Sequence, residues 1–387
     1  MLSVCLDIYG MIGIGRKGRN ISLITLGEIS QSKQPRKFCG KIWSCKWGIG
    51  MIITQTPFRM SFFGGGTDMP DFFKEHGGAV LSSTFDKYCY VTVRHLPRFF
   101  DWKTHLTYSK TEYVNSYDEI RHPAIRNAMR MLDMHELRIT YDADLPARSG
   151  LGTSSSFAVG MLGAFHALKG KYVSKQELAD EAIHLERNLC GEMGGWQDQI
   201  AASYGGFNRI DFNQEGYQVR PLIISPQRKQ ALNDRLMMFF TGFTRLSAKV
   251  QAVNVRSKSH ARTERLQRMR CLVDEAECIL TDGHNDLDDF GRLLDYTWQL
   301  KRQTGRAVST DEIDRIYMAG REAGALGGKI LGAGGGGFML FYVQPERQAA
   351  VHVAMRDLLY IPFRFENDGM RIAYYMPENY VPSEEDL

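Results

Sequence analysis

Residues 144–157 read DLPARSGLGTSSSF: a glycine turn, then four hydroxyl residues, then the start of an apolar run. Gly150 and Gly152 lack a Cβ, so the backbone there can take positive φ and aim several N–H groups at one point. Thr153, Ser154, Ser155 and Ser156 stand where a helix running to about Leu168 would begin. Unpaired N–H groups and the helix dipole favour an anion at such a terminus. The stretch predicts a phosphate cradle, although the string alone leaves open an ordinary loop with an N-cap. Its setting favours the cradle, because Leu137, Ile139 and Tyr141 alternate as a strand just before it and a long helix follows. Gly160, Gly163, Ala164 and Ala167 predict that this helix packs closely and is buried. Neither a Walker Gly-Lys-Ser/Thr nor a dinucleotide fingerprint is present, so a nucleotide must be held some other way.

The chain has 387 residues, enough for two domains, with the composition of a soluble globular protein. No stretch approaches the roughly 20 apolar residues that span a bilayer. The net charge of +4 is concentrated in residues 1–50, which hold eight Lys/Arg against Asp7 and Glu28, so the remainder is slightly acidic. Neither nucleic acid nor a membrane is implied as a partner. Residues 1–50 show no strong period and no secretory pattern. They read either as a disordered basic extension or as an upstream translation of non-coding sequence, with Met51 the expected natural start. Cys89, Cys190, Cys271 and Cys278 lack Cys-x-x-Cys or disulfide spacing, which predicts reduced thiols in a cytoplasm and no metal cluster.

From Ile52, the sequence predicts a short strand, a break at Pro57 and a second strand, then Gly64-Gly65-Gly66-Thr67-Asp68. The glycines deliver Asp68, whose carboxylate can accept two sugar hydroxyls at once or can cap the helix expected at Pro70 to His76. Arg59 lies mid-strand, where a buried cation needs a carboxylate or a phosphate. Ala79 to Leu96 alternates as strand, Ala124 to Leu132 reads as a helix, and Ser174 with Glu177 forms a capping box for a helix continuing to Gly191. Within GEMGGWQDQIAASYGG, Asp198 opens a further helix. Asp198 reads as a general base or positioner, or as a cap. Glu186 reads as a magnesium ligand, or as a solvated charge.

Beyond about Arg220 the pattern changes to a strand at Leu236–Phe240, a long charged helical region over 246–281, and helices at 288–302 and 310–323. Then comes KILGAGGGGFMLFYV, where five glycines in six positions (332–337) predict that the backbone closely approaches another surface.

Three segments in this order, PFRMSFFGGGTD, PARSGLGTSSS and KILGAGGGGF, resemble the three motifs of the GHMP kinases over residues 52–380. The GGGTD, GLGTSSS and WQDQ strings are similar to the branch acting on D-glycero-D-manno-heptose 7-phosphate. The resemblance implies an α/β (α+β) fold of two domains: residues 51–225 resembling ribosomal protein S5 domain 2, and 226–387 ferredoxin-like, with the site between them. It implies that Pro146, Ser149, Gly150, Leu151, Gly152, Thr153, Ser154 and Ser155 hold the ATP triphosphate. It further implies that Ser154 or Thr153 with Glu186 holds Mg²⁺, and that Asp198 and Arg59 are catalytic. Gly66, Thr67 and Asp68, with Gly334 and Gly335 of the third motif, would surround the sugar, while Gly332 to Phe338 would back the phosphate loop. The implied activity is phosphorylation of the anomeric hydroxyl of a sugar phosphate by a cytoplasmic monomer or homodimer. The distal phosphate would need a cation, for which Arg94, Arg98, Arg148, Arg245 and Lys249 are candidates. A kinase for a free sugar such as fucose or galactose, and a non-catalytic sensor of the same fold, are the alternatives.

Overall fold

The computed structural model describes residues 50–96, 99–242, 260–305, 308–332 and 334–376. The expectations for residues 1–49 and for a helical start at 246–259 lie outside the described residues, as do Arg98, Arg245 and Lys249.

Pro57 does not divide the first strand. β1 (Met51–Phe63) is continuous, and the proline is absorbed by a register shift between Pro57 and Phe58 against β2 (Gly78–His95). Such a bulge accommodates a residue that cannot donate to the ladder. Between these strands lies α1 (Pro70–His76), and its N-cap is Met69 without a side-chain bond, so Asp68 is not a cap. β3 (Thr104–Thr107), β4 (Thr111–Val114) and α2 (Pro123–Met131) lead to β5 (Leu137–Ala143). Next come α3 (Thr153–Leu168), α4 (Lys175–Ile183) with its Ser174/Glu177 capping box, and α5 (Gln197–Tyr204). β6 (Phe207–Asn213) and β7 (Gly216–Pro221) follow.

The remaining elements are α6 (Pro226–Asn233), β8 (Leu236–Phe240), α7 (His260–Thr281), α8 (Asp288–Arg302), α9 (Asp311–Glu322), β9 (Gly327–Ile330), β10 (Phe338–Tyr342), α10 (Gln348–Ala354) and β11 (Leu359–Ile361). β12 (Phe365–Glu366) and β13 (Arg371–Met376) end the described chain.

These strands form two sheets. The larger runs β13-β1-β2-β5-β3-β4, with β6 and β12 also paired to β2 and β7 to β6. The smaller runs β11-β8-β10-β9, with every neighbouring pair antiparallel. Numbered within their own sheet these four are 4-1-3-2, the order of a ferredoxin-like layer with α7–α9 and α10 as its crossovers. The span 226–387 also contributes β12 and β13 to the larger sheet.

α3 is buried along almost its whole length against β1 and β2. A Cβ on Gly160 would stand 2.7 Å from Thr56 Oγ1, so the small residues of this helix let it lie directly on the sheet. On the opposite face of β1, Phe58, Met60, Phe62 and Phe63 join one apolar cluster with Leu272 and Val273 of α7, Leu294 of α8 and Leu340 of β10. Burying each such side chain contributes about 1.5–3 kcal/mol. This shared core holds the first strand and the second sheet in one register, and the site is built along it.

Candidate active site

The cradle has the geometry its glycines require. Gly150 has φ 84°, Gly152 φ 73°, and Arg148 between them and the strand also has positive φ, 62°. Gly152 is the N-cap of α3 in the left-handed conformation, with no side chain capping the helix. The first N–H groups of α3 therefore lack helical partners and face the turn. Thr153 Oγ1 accepts from the Arg148 N–H at 3.2 Å, which pins the turn to the helix it opens. Pro146 is exposed at the entrance, whereas the Leu151 side chain sits in the core and its carbonyl accepts from the Arg59 N–H at 3.2 Å. The Ser149 hydroxyl is buried and has no partner among the described residues.

The third glycine segment backs this turn closely. A Cβ on Gly332 would be 2.4 Å from Gly150 Cα, and one on Gly337 would be 2.1 Å from the Ser149 carbonyl oxygen. Only glycine permits this contact, which accounts for the glycine run. Gly334 and Gly335 are placed differently from the sugar-binding expectation. The Gly335 N–H donates to the Val308 carbonyl at 3.0 Å, and Gly334 is pressed onto the Val308 backbone.

Directly against the cradle lie Arg59 and Asp198. Arg59 Nε donates to Asp198 Oδ1 at 2.8 Å, its NH2 lies 2.7 Å from the same oxygen, and its NH1 donates to the Gly150 carbonyl at 2.6 Å. A Cβ on Gly152 would sit 3.4 Å from Arg59 Cγ and 3.5 Å from Asp198 Cβ. The Arg59 side chain is 5% exposed and that of Asp198 25%, so the carboxylate is the member of the pair open to a ligand.

Glu186 is buried within a π-helical turn, His184–Leu189, that continues α4. The turn interrupts the regular helical spacing and re-aims the side chain. Its carboxylate accepts from Ser154 Oγ at 2.5 Å, from Ser155 Oγ at 2.6 Å and from Gln199 Nε2. Ser154 is exposed, Ser155 is buried, and the Thr153 hydroxyl is engaged by Arg148. The solvated hydroxyl facing this carboxylate is thus that of Ser154. Among the described residues no group of three or more His, Cys, Asp or Glu could hold a metal. One carboxylate with one hydroxyl is a donor set suited to magnesium, which keeps phosphate and water oxygens for its other positions.

Asp68 is 3% exposed, and accepts from the Gly66 N–H at 2.9 Å and the Gln197 N–H at 3.3 Å. Burial, then the Asp198 charge, raises its carboxyl above the usual range, against the pull of those amides. Gly66 thus orients Asp68. Thr67 corrects the expectation: its hydroxyl is buried, donates to the Gly64 and Ala79 carbonyls at 2.8 Å each, and accepts from the Ala79 N–H. It closes the loop and has no lone donor for a sugar.

Two lysines went unmarked in the sequence. Lys301, in the last turn of α8, is buried and donates to the Gly332 carbonyl. Lys329 of β9 is buried and donates to the Ser61 and Phe62 carbonyls of β1 at 2.8 Å each. Buried lysines are rare without partners, but a last-turn lysine is ordinary in sequence; only the lone charge of Lys329 inside GGKI carried a signal.

The glycine turn, the Arg59–Asp198 pair and the Ser154–Glu186 pair thus meet at the start of α3, where unpaired helix N–H groups lie beside two carboxylates. Family profiles described as GHMP kinases N terminal domain and GHMP kinases C terminal match residues 119–206 and 276–361. The D-glycero-alpha-D-manno-heptose 7-phosphate kinase of Campylobacter jejuni is 30% identical over 340 residues, covering 83% of this chain and 98% of that protein. The chain belongs to the GHMP kinases. The mevalonate kinase of Pyrococcus horikoshii is 30% identical over 279 residues, covering 68% of this chain and 78% of that protein. Among solved GHMP kinase structures, a D-glycero-D-manno-heptose 1-phosphate kinase from Bacteroides thetaiotaomicron superposes with TM-score 0.68 at 25% identity, covering 84% of this chain and 99% of that one. Lactococcus lactis galactokinase, at 16% identity and TM-score 0.62 over 83% and 95% of the two chains, shares the fold. GHMP kinases use ATP as phosphoryl donor, generally with Mg²⁺. Among the described residues no helix is long and apolar enough to cross a membrane.

Proposed function

We propose that this GHMP kinase phosphorylates the anomeric hydroxyl of a D-glycero-D-manno-heptose 7-phosphate, forming the 1,7-bisphosphate in the cytoplasm. The observation that supports the reading is the place of Gly152, where a Cβ would lie 3.4 Å from Arg59 Cγ and 3.5 Å from Asp198 Cβ, so the glycine turn and the carboxylate are side by side. The choice of sugar follows the Campylobacter jejuni relative, which aligns over nearly its full length.

The chain's residues fit ATP and magnesium. The first N–H groups of α3 and the partnerless Ser149 hydroxyl supply donors for phosphate oxygens. Ser154 and Glu186, hydrogen-bonded to each other here, would hold Mg²⁺ through their oxygens. When bound, the nucleotide supplies the phosphoryl group and the metal neutralises its charge. Asp198 accepts the hydrogen bond of the anomeric hydroxyl and orients its oxygen for in-line attack. Its proton leaves toward Asp198 as the new P–O bond forms and the bond to ADP breaks. Phosphoryl transfer proceeds through a loose transition state, so alignment and electrostatics matter more than base strength. Arg59 fixes both the carboxylate and the Gly150 carbonyl, so acceptor and donor sides share one anchor. Asp68, already oriented by two backbone amides, accepts sugar hydroxyls.

Protein begun at Met51, incubated with Mg-ATP and heptose 7-phosphate, heptose 1-phosphate, hexose 6-phosphates and free sugars, tests the proposal by phosphorus NMR of the products. An anomeric phosphate formed from heptose 7-phosphate alone is the expected result. Turnover of heptose 1-phosphate or of a free sugar instead would replace the substrate assignment, and nucleotide binding without ADP formation would overturn the reaction.

A further inference from the structure

Arg59 is the cation expected to meet the phosphoryl group, yet the protein engages each of its three guanidinium nitrogens, two through Asp198 and one through the Gly150 carbonyl. A second cation approaches the cradle from the other side. Lys301 reaches in from the end of α8 at 9% exposure and donates to the Gly332 carbonyl, and Gly332 is the residue stacked on Gly150. Arg59 therefore bonds the turn directly, and Lys301 bonds the segment that backs it. Lys301 has no ion pair among the described residues: Asp198 is turned to Arg59, and Asp68 to the amides of Gly66 and Gln197. An ammonium withdrawn from water with a peptide carbonyl as its partner lacks a counter-charge. The anion for which the pocket is shaped would provide one.

We propose that Lys301 is a catalytic cation of this site, contacting the phosphoryl group as it passes from donor to acceptor. The inference rests on the phosphotransfer reading above. Lys329 cannot take this part, because its ammonium is turned onto two carbonyls of β1. The charged groups facing Lys301 are Arg59 on β1, Asp68 in the turn after β1, Asp198 on α5 and Lys329 on β9. Burial, then Arg59, pushes the Lys301 ammonium down to about 8, with Asp68 and Asp198 opposing. Free enzyme thus loses the charge on Lys301 just above neutrality, and an arriving phosphate restores it by drawing in a proton.

Lys301→Met and Lys301→Arg, made in the full chain, separate this role from packing. Wild-type kcat/KM is expected to fall above about pH 8, because that ratio reports groups of the free enzyme. Lys301→Met is expected to lower kcat by about 10²-fold or more, with a smaller change in KM for ATP, and to lose that alkaline limb. Lys301→Arg, which stays charged, should recover part of kcat and move the limb upward. A readout independent of turnover is calorimetry of a non-hydrolysable ATP analogue with Mg²⁺ at about pH 8, in two buffers of different ionisation enthalpy. Wild type should take up about half a proton per analogue bound and Lys301→Met none. Equal proton uptake in both proteins, or a Lys301→Met enzyme within about threefold of wild type with its limb in place, overturns the proposal. Should circular dichroism show the Met variant unfolded, the Arg variant's limb decides, and a limb unmoved from wild type overturns it. Absence of wild-type turnover with every acceptor instead counts against the phosphotransfer reading, and proton uptake still reports on Lys301.

Discussion

Asp68 and Asp198 share a pocket but have different surroundings, and this difference sets their expected behaviour on substitution. Asp198→Asn keeps a hydrogen-bonding side chain beside Arg59 while removing the acceptor of the sugar proton. It is expected to cut kcat by about 10²–10⁴-fold with ATP affinity retained, measured by steady-state kinetics and calorimetry. Near-normal turnover would remove Asp198 from the reaction. Asp68 has a raised folded-state pKa. The stability it contributes is fully present below its unfolded value and is lost as pH rises through the folded value. Asp68→Asn removes this ionisation but turns an amide donor onto one of the two backbone N–H groups that Oδ1 and Oδ2 now accept from, so it should lower Tm while raising KM for the sugar by about tenfold. A lower Tm with unchanged KM would make Asp68 structural. That Arg59 needs an anion was legible in the sequence, because a cation in the middle of an apolar strand demands one, whereas the choice of Asp198 rather than a phosphate was not. Lys301 was not legible either, because its burial comes from the third glycine segment folding over a helix end some thirty residues earlier.

At the level of elements, the glycine segments were readable because five glycines in six positions exceed what a turn requires. The glycines alone could not name the partner; the family resemblance did, implying that this segment backs the phosphate loop, and Ser149 and Gly150 are the surface it touches. The contact has a measurable consequence. Gly337→Ala combines φ 109° with a Cβ placed 2.1 Å from the Ser149 carbonyl. The left-handed conformation alone costs about 1–2 kcal/mol, and relieving the overlap must also displace the turn. KM for ATP should rise together with a fall in Tm. Gly283→Ala, where a Cβ meets nothing within 4 Å, should stay within about 0.5 kcal/mol of wild type in thermal melts. A Gly337→Ala protein as stable and active as Gly283→Ala would show that the two loops do not depend on each other. The Pro57 break was misread for a related reason: β1 is held by neighbours on both sides, and tertiary pairing overrides a local breaker. The π turn at Glu186 was equally hidden, because one inserted residue barely alters an apolar repeat.

For the whole molecule, the fold class followed from the resemblance of the three glycine-rich segments to the GHMP kinases, but the return of the chain's end did not. β12 and β13 pair with β2 and β1, and nothing in their short, largely exposed sequences marks that destination. A chain ended after Arg364 loses both, leaving the outer edge of β1 bare. It is expected to show no cooperative thermal transition and little soluble yield, whereas a stable, ATP-binding truncation would show that the last strands are dispensable. During synthesis the same arrangement imposes an order in time. The strand bearing Arg59 is among the first described segments to be made, yet Met51 is paired with Met376, and at about 5–20 residues per second the ribosome needs tens of seconds to supply that partner. Through this interval the nascent strand exposes one row of backbone donors and acceptors, so the protein's vulnerability to aggregation is set by how long translation takes to reach its last strand.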